Sequence, residues 1–213
     1  MGGEAVAAGR DAISPGSGLP PTAVHRLAAE AIARADPLRL AVASSPWERE
    51  AVFRLRYRHV IGAGWATPEE LPDGREKDHF DAEATHVVAW SGDTAVGTCR
   101  LVFPDLTRPL PPEEVFDLVV EPRGRAPTLD RLLVVPGHRG GRAAAALLAR
   151  AWQELLGQGF ELASGIAARP VIRLLRRMGF DVRVLGGPRV YWGEQRYAIL
   201  AAPSAALVDS ARD

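Results

Sequence analysis

Apolar residues recur along this chain with two periods, and the switches between them outline the elements. Val24, Leu27, Ala28, Ala31, Ile32 and Ala35 repeat at helical spacing, which predicts a helix from Thr22 to Ala35, closed by Asp36-Pro37. The alternation of Leu38, Leu40 and Val42 predicts a first strand over Leu38 to Ala43. Ser45-Pro46-Trp47-Glu48 combines a capping box with proline at the first helical position, so a helix is expected from Pro46 to His59. Its apolar side carries Val52, Phe53, Tyr57 and Val60, with Arg49 and Arg56 toward a rim or solvent. Gly62 to Lys77 has no period and reads as a functional or mobile loop. Thr85 to Trp90 and Ala95 to Phe103, joined by Ser91-Gly92-Asp93, predict a β-hairpin. A proline-rich connector, Pro104 to Pro112, leads to a short helix at Glu113 to Leu118. Leu132 to Val135 is an apolar run of strand length ended by Pro136-Gly137, and an Ala/Leu-rich helix follows through Trp152. A strand over Leu162 to Ile166 and a helix from Pro170 to Met178, closed by Gly179, come next. Short strands at Phe180 to Val184, Arg189 to Trp192 and Arg196 to Ala201 complete the order.

This alternation predicts a mixed α/β chain without repeats. With 213 residues, 47% hydrophobic and 24% charged, it supports one core. Residues 1–21 read as a disordered tail, 22–36 as a leading helix, 37–203 as one domain and 204–213 as a flexible C-terminus. Basic and acidic residues balance at 26 each, so the net charge gives no reason to expect a nucleic-acid partner. Cys99 is the only cysteine, which excludes an intrachain disulfide and a cysteine-cluster metal site, and the histidines lack ligand spacing; no metal is expected. No apolar run reaches the ~20 residues that span a bilayer, and the chain is expected to be cytoplasmic, with no membrane partner.

Two stretches carry candidate chemistry. In Arg139-Gly140-Gly141-Arg142-Ala143 the glycines allow close backbone approach and the following helix presents unpaired N–H groups, while two arginines add charge. Such a turn can hold a phosphate; otherwise its arginines are simply solvated. Arg169, Arg173, Arg176 and Arg177 fall on one side of the predicted fifth helix and, with Arg150, form either a solvated face or a docking surface for an acidic partner.

The arrangement resembles the GNAT superfamily of N-acyltransferases, and within it the acyl-homoserine-lactone synthases and N-acyl amino acid synthases. Leu55-Arg56-Tyr57-Arg58 followed by Trp65 is similar to that branch's first helix and tryptophan. Glu76-x-Asp78-x-Phe80-Asp81 matches its E-x-D-x-(Y/F)-D signature, and Gly97-Thr98-Cys99-Arg100-Leu101 its G-x-x-R-(L/F) strand. Arg173 to Gly179 and Tyr191-Trp192-Gly193 resemble the C-terminal segment of the N-acyl amino acid synthases. Three positions depart from the pattern. Thr128 stands where the branch has an acid, Arg142 replaces the central glycine of the turn, and Leu175 replaces a tyrosine common in small-substrate acetyltransferases.

The resemblance implies an α+β fold with a mixed, mostly antiparallel sheet whose central strands splay apart, flanked by helices. It implies aminolysis of an acyl-CoA or acyl-phosphopantetheine thioester by the amine of an amino acid or similar metabolite. Asp78, Asp81 and the weaker candidate Asp130 would supply a proton acceptor, and the backbone N–H of Val134 or Val135 an oxyanion donor. Arg56, Trp65, Glu76, Arg100 and Arg131 would surround the acceptor. The donor would lie on Val135, Arg139, Gly140, Gly141, Arg142 and Ala143. Asp78, Asp81 and Arg100 have a second reading as a structural ion-pair network. An acyl carrier protein or an aminoacyl-tRNA remains open as the donor, and a simple acetyltransferase or a non-catalytic thioester-binding protein as alternatives.

Overall fold

The computed structural model describes residues 19–105 and 107–207. Most of the two expected terminal segments lies outside them, although Pro21 already begins the first helix. The chain order is α1 (Pro21–Ala33), β1 (Arg39–Val42), α2 (Pro46–Gly62), β2 (Thr85–Ser91), β3 (Thr94–Val102), α3 (Pro111–Phe116), β4 (Thr128–Val134), α4 (Arg142–Gly157), β5 (Ala163–Ala167), α5 (Arg169–Arg177), β6 (Phe180–Val184), β7 (Arg189–Tyr191) and β8 (Glu194–Pro203). Short 3-10 turns at His79–Ala82 and Pro136–His138 were not anticipated from the apolar pattern.

The strands form one sheet in the order β1-β2-β3-β4-β5-β8-β6, with β7 pairing β8 off this path. Every pairing is antiparallel except β4 with β5. Both faces are covered, which is why β2 and β3 are buried over most of their length. On one face Leu147, Ala151, Trp152 and Leu155 of α4 pack on Val87, Val96, Cys99 and Ile199. On the other, Val52 and Leu55 of α2 pack on Val88, Trp90 and Leu133. Helix α2 starts where the sequence signals: Ser45 accepts from the Glu48 N–H at 3.3 Å and Glu48 accepts from the Ser45 N–H at 2.9 Å.

Two irregularities shape the centre of the sheet. The β3–β4 register shifts across Cys99, so Arg131 and Leu132 share one place opposite it, and Arg131 takes the left-handed φ of 51°. Beyond this bulge β4 diverges from β5: among the described residues the two strands share one registered pair, Thr128 with Ser164. The side chains of that pair meet at 2.9 Å, and the Ser164 hydroxyl also reaches the Ala126 carbonyl at 3.1 Å. Thr128, which departs from the acid of the resembled branch, thus ties the two strands at the point where they part.

Candidate active site

The splay between β4 and β5 opens into a cavity of about 280 Å³. Its apolar part is lined by Leu129, Leu148, Trp152, Ala163, Phe180 and Ala201; its polar part by Arg56, His59, Trp65, Glu76, Arg131, Tyr191 and Arg196. The pattern of an apolar groove with a few polar groups at one end suits a small ligand.

Backbone geometry supplies a donor on the open edge of β4. The Val135 N–H donates to the Val96 carbonyl at 2.9 Å. That makes Val135 and Val96 a hydrogen-bonded antiparallel pair, so the next pair, Val134 with Gly97, turns its backbone groups away from β3. Val134 therefore keeps its N–H toward the splay. Val135, the alternative oxyanion donor, does not, because its N–H is already committed to the ladder. At the top of the splay, Arg139 approaches the Val134 carbonyl through Nε at 3.4 Å. Gly140, Gly141 and Arg142 are exposed there. Gly141 takes φ 90° as the residue before α4, and no side chain caps the helix, which leaves its first N–H groups available to an anion. Ala143 is buried under this turn.

The acidic cluster is more tightly bound than the sequence suggested. Arg56 is buried, not on a rim: it grips Asp81 through two bonds of 2.7 and 3.0 Å and also pairs with Glu76. Arg100 grips Asp130 at 2.8 and 2.7 Å and reaches Asp78 at 2.6 Å and Asp81 at 3.1 Å. Arg131 contacts Glu76 at 3.0 Å and Asp78 at 3.1 Å. Asp78 and Asp81 also cap the 3-10 turn between them. Burial pushes the Asp81 carboxyl up, but Arg56 and Arg100 outweigh it and hold the group far below the usual carboxylate range. Asp130 is held low in the same way, mainly by Arg100. A carboxylate whose oxygens are committed to guanidinium forks is a poor proton acceptor. Both oxygens of Asp81 and of Asp130, expected as proton acceptors, are engaged by Arg56 and Arg100 in this way. Asp78 is bridged between Arg100 and Arg131, and Arg100, expected beside the acceptor, is engaged by Asp78, Asp81 and Asp130.

Arg56, Glu76, Arg131 and Trp65 do line the cavity as expected. Around them stand residues to which the sequence assigned no site role. The β7–β8 hairpin turns at Trp192 and Gly193, with φ of 52° and 67°, the two-residue turn that matches strand twist. It sets Trp192 and Tyr191 over the Arg131 guanidinium, at 5.5 and 6.0 Å. Arg196 lies over Trp65 at 4.7 Å. His59, in the last turn of α2, meets Trp65 edge-on at 5.3 Å. Burial, with Arg139 and Arg196 nearby, lowers the His59 pKa below its usual 6.5, so the imidazole is neutral at pH 7. The clustering of an aromatic pair, an acid and an arginine in Tyr191-Trp192-Gly193-Glu194-Gln195-Arg196 was the available signal for the hairpin part.

The basic face divides. Arg150 pairs with Glu154 at 2.5 Å, Arg169 donates to the Tyr197 hydroxyl at 2.7 Å and Arg176 to the Val182 carbonyl at 2.8 Å. All four arginines of α5, Arg169, Arg173, Arg176 and Arg177, are nonetheless exposed. Among the described residues no cluster of three or more His, Cys, Asp or Glu could hold a metal, and no helix is long and apolar enough to cross a membrane.

A mixed sheet split at its centre, with an uncapped helix start at the mouth of the split, is the architecture of the GNAT fold, and residues 55–149 match the acetyltransferase (GNAT) domain family. The chain is similar to BjaI, a CoA-dependent acyl-homoserine lactone synthase solved with SAM and isopentyl-CoA, at 28% identity over 83% of this chain and 87% of that one, with a TM-score of 0.66. LasI, an acyl-homoserine-lactone synthase, shares the fold at 16% identity, covering 81% and 93% of the two chains with a TM-score of 0.62. So does ElaA of Escherichia coli, at 13% identity, covering 76% and 98%, with a TM-score of 0.57.

Proposed function

We propose that this protein transfers an acyl group from a pantetheine thioester to the amine of an amino acid or similar small metabolite. The observation that carries the reading is the β4–β5 splay, with the Val134 N–H facing into it below the exposed start of α4. Acyl-CoA is the favoured donor, because BjaI, the 28% identical neighbour, is CoA-dependent. Its phosphates would meet the N–H groups of Arg142 and Ala143 with Arg139 alongside, and its acyl chain would run between Leu129, Trp152 and Phe180.

In the reaction, the neutral amine attacks the thioester carbonyl carbon, the carbonyl electrons move onto oxygen, and the tetrahedral species collapses with loss of the thiolate. The Val134 N–H supplies a preorganised hydrogen bond to the oxyanion, worth about 3 kcal/mol of barrier in comparable sites. His59 is the neutral group at the polar end suited to take the amine's proton, directly or through water, and that proton neutralises the departing thiolate. The ion-pair ladder of Arg56, Arg100 and Arg131 with its carboxylates fixes the loop that walls the acceptor side.

The test is thiol release from acyl-CoA donors of graded chain length and from matched acyl carrier protein, each with a panel of amines, with products verified by intact mass. Amine-dependent release that favours a medium or long acyl-CoA is expected. Absence of thiol release with every pair sinks the reading, and turnover of acetyl-CoA without chain-length preference replaces it with simple acetyl transfer.

A further inference from the structure

Arginines lining the cavity differ in what already satisfies them. Arg56 and Arg131 are each neutralised by carboxylates within 3.1 Å. Arg196 is not. Its side chain is 17% exposed, and its nearest acid, Glu194, is half exposed and stands at 3.5 Å. Its Nε–H is shielded from solvent and finds no acceptor among the described residues. Burial and the nearby Arg131 lower its pKa against the pull of Glu194, the signature of a cation short of a counter-charge. The ring of Trp65, 4.7 Å below, holds the guanidinium plane in place beside the polar end of the cavity. A buried N–H without a partner is costly, and the planar fork of an arginine is matched by a carboxylate.

We infer that Arg196 is the anchor for a carboxylate on the acceptor, so that the acylated amine belongs to an amino acid and not to a simple alkylamine. This rests on the acyl-transfer reading. It assigns the contact to a residue whose Nε–H is without an acceptor among the described residues, unlike Arg100, which is engaged by three carboxylates. The same fork could serve a phosphate of the donor, and the experiment separates the two sources.

Thiol-release kinetics would compare an amino acid with its own carboxamide at fixed acyl-CoA. Loss of one charged hydrogen-bonded contact predicts a KM for the carboxamide raised by roughly 10- to 100-fold. Arg196→Gln should raise the amino acid's KM by a similar factor and leave the KM values of the carboxamide and of acyl-CoA within about twofold, a specificity change of the size expected when a buried polar partner is lost. Equal KM values for both acceptors in the parent protein overturn the inference, as does a rise in the acyl-CoA KM with the acceptor's unchanged, which assigns Arg196 to the donor phosphate. A second measurement needs no turnover: calorimetric titration of the full chain with N-octanoylglycine and with N-octanoylglycinamide. Preference for the carboxylate that vanishes in Arg196→Gln upholds the anchor even if acyl transfer itself fails; equal binding of the two ligands refutes it. Glu194→Gln, which removes the competing acid and keeps Arg196 in place, should tighten the carboxylate ligand; unchanged or weaker binding counts against the anchor.

Discussion

Asp81 shows how a residue can be legible in kind and not in role. Its spacing from Glu76 and Asp78 is plain in the sequence, and the cluster does form. What spacing does not carry is the partner list, because the guanidiniums arrive from α2, β3 and β4, up to 55 positions away in the chain. Four carboxylates meet three arginines, and the forks of Arg56 and Arg100 convert would-be bases into anchors for the loop before β2. Removing one member therefore strands charge out of water. Asp81→Asn is expected to cost about 3–5 kcal/mol, read as a lower urea midpoint, whereas Arg56→Met combined with Asp81→Leu should recover part of that loss. If Asp81→Asn unfolds with the parent's midpoint but loses all activity, the carboxylate is chemical after all. His59 was missed for the opposite reason: nothing local marks it, and its environment is made by Trp65, Arg139 and Arg196.

At the level of elements, the periods placed nearly every helix and strand within a few residues, because α2, α4 and the β2–β3 hairpin announce themselves by caps and turn chemistry. The bulge in β4 was not visible, since Arg131 adopts its positive φ without the glycine or asparagine that would have flagged it. The divergence of β4 and β5 is likewise a property of the pair and not of either strand. Gly165 guards it: a Cβ there would stand 2.8 Å from the Leu129 carbonyl oxygen, a backbone atom that cannot swing aside. Gly165→Ala should force the strands apart at their junction, costing about 1–3 kcal/mol and weakening acyl-CoA binding more than amine binding. Unaltered stability together with unaltered donor KM would show that the junction tolerates the extra carbon.

Across the molecule, balanced charge conceals a local asymmetry, and no residue count could have shown it. Acids are gathered into the ladder behind the acceptor wall, while Arg139 and Arg196 flank His59 without equal compensation. That arrangement makes the cavity a proton-linked device. Each cation depresses the imidazole pKa, so an anion seated on either one relieves the depression and raises the basicity of His59 at the moment a base is wanted. Substrate capture should then take up a fraction of a proton below the ordinary imidazole pKa, with less uptake as pH rises and the imidazole stays neutral in both states. Calorimetry of acyl-CoA or carboxylate binding in two buffers of different ionisation enthalpy measures that uptake directly. It should disappear in His59→Asn; uptake that persists there belongs to another group. By reciprocity, mild acid should favour binding while disfavouring the chemical step, so affinity and turnover part company along the pH scale.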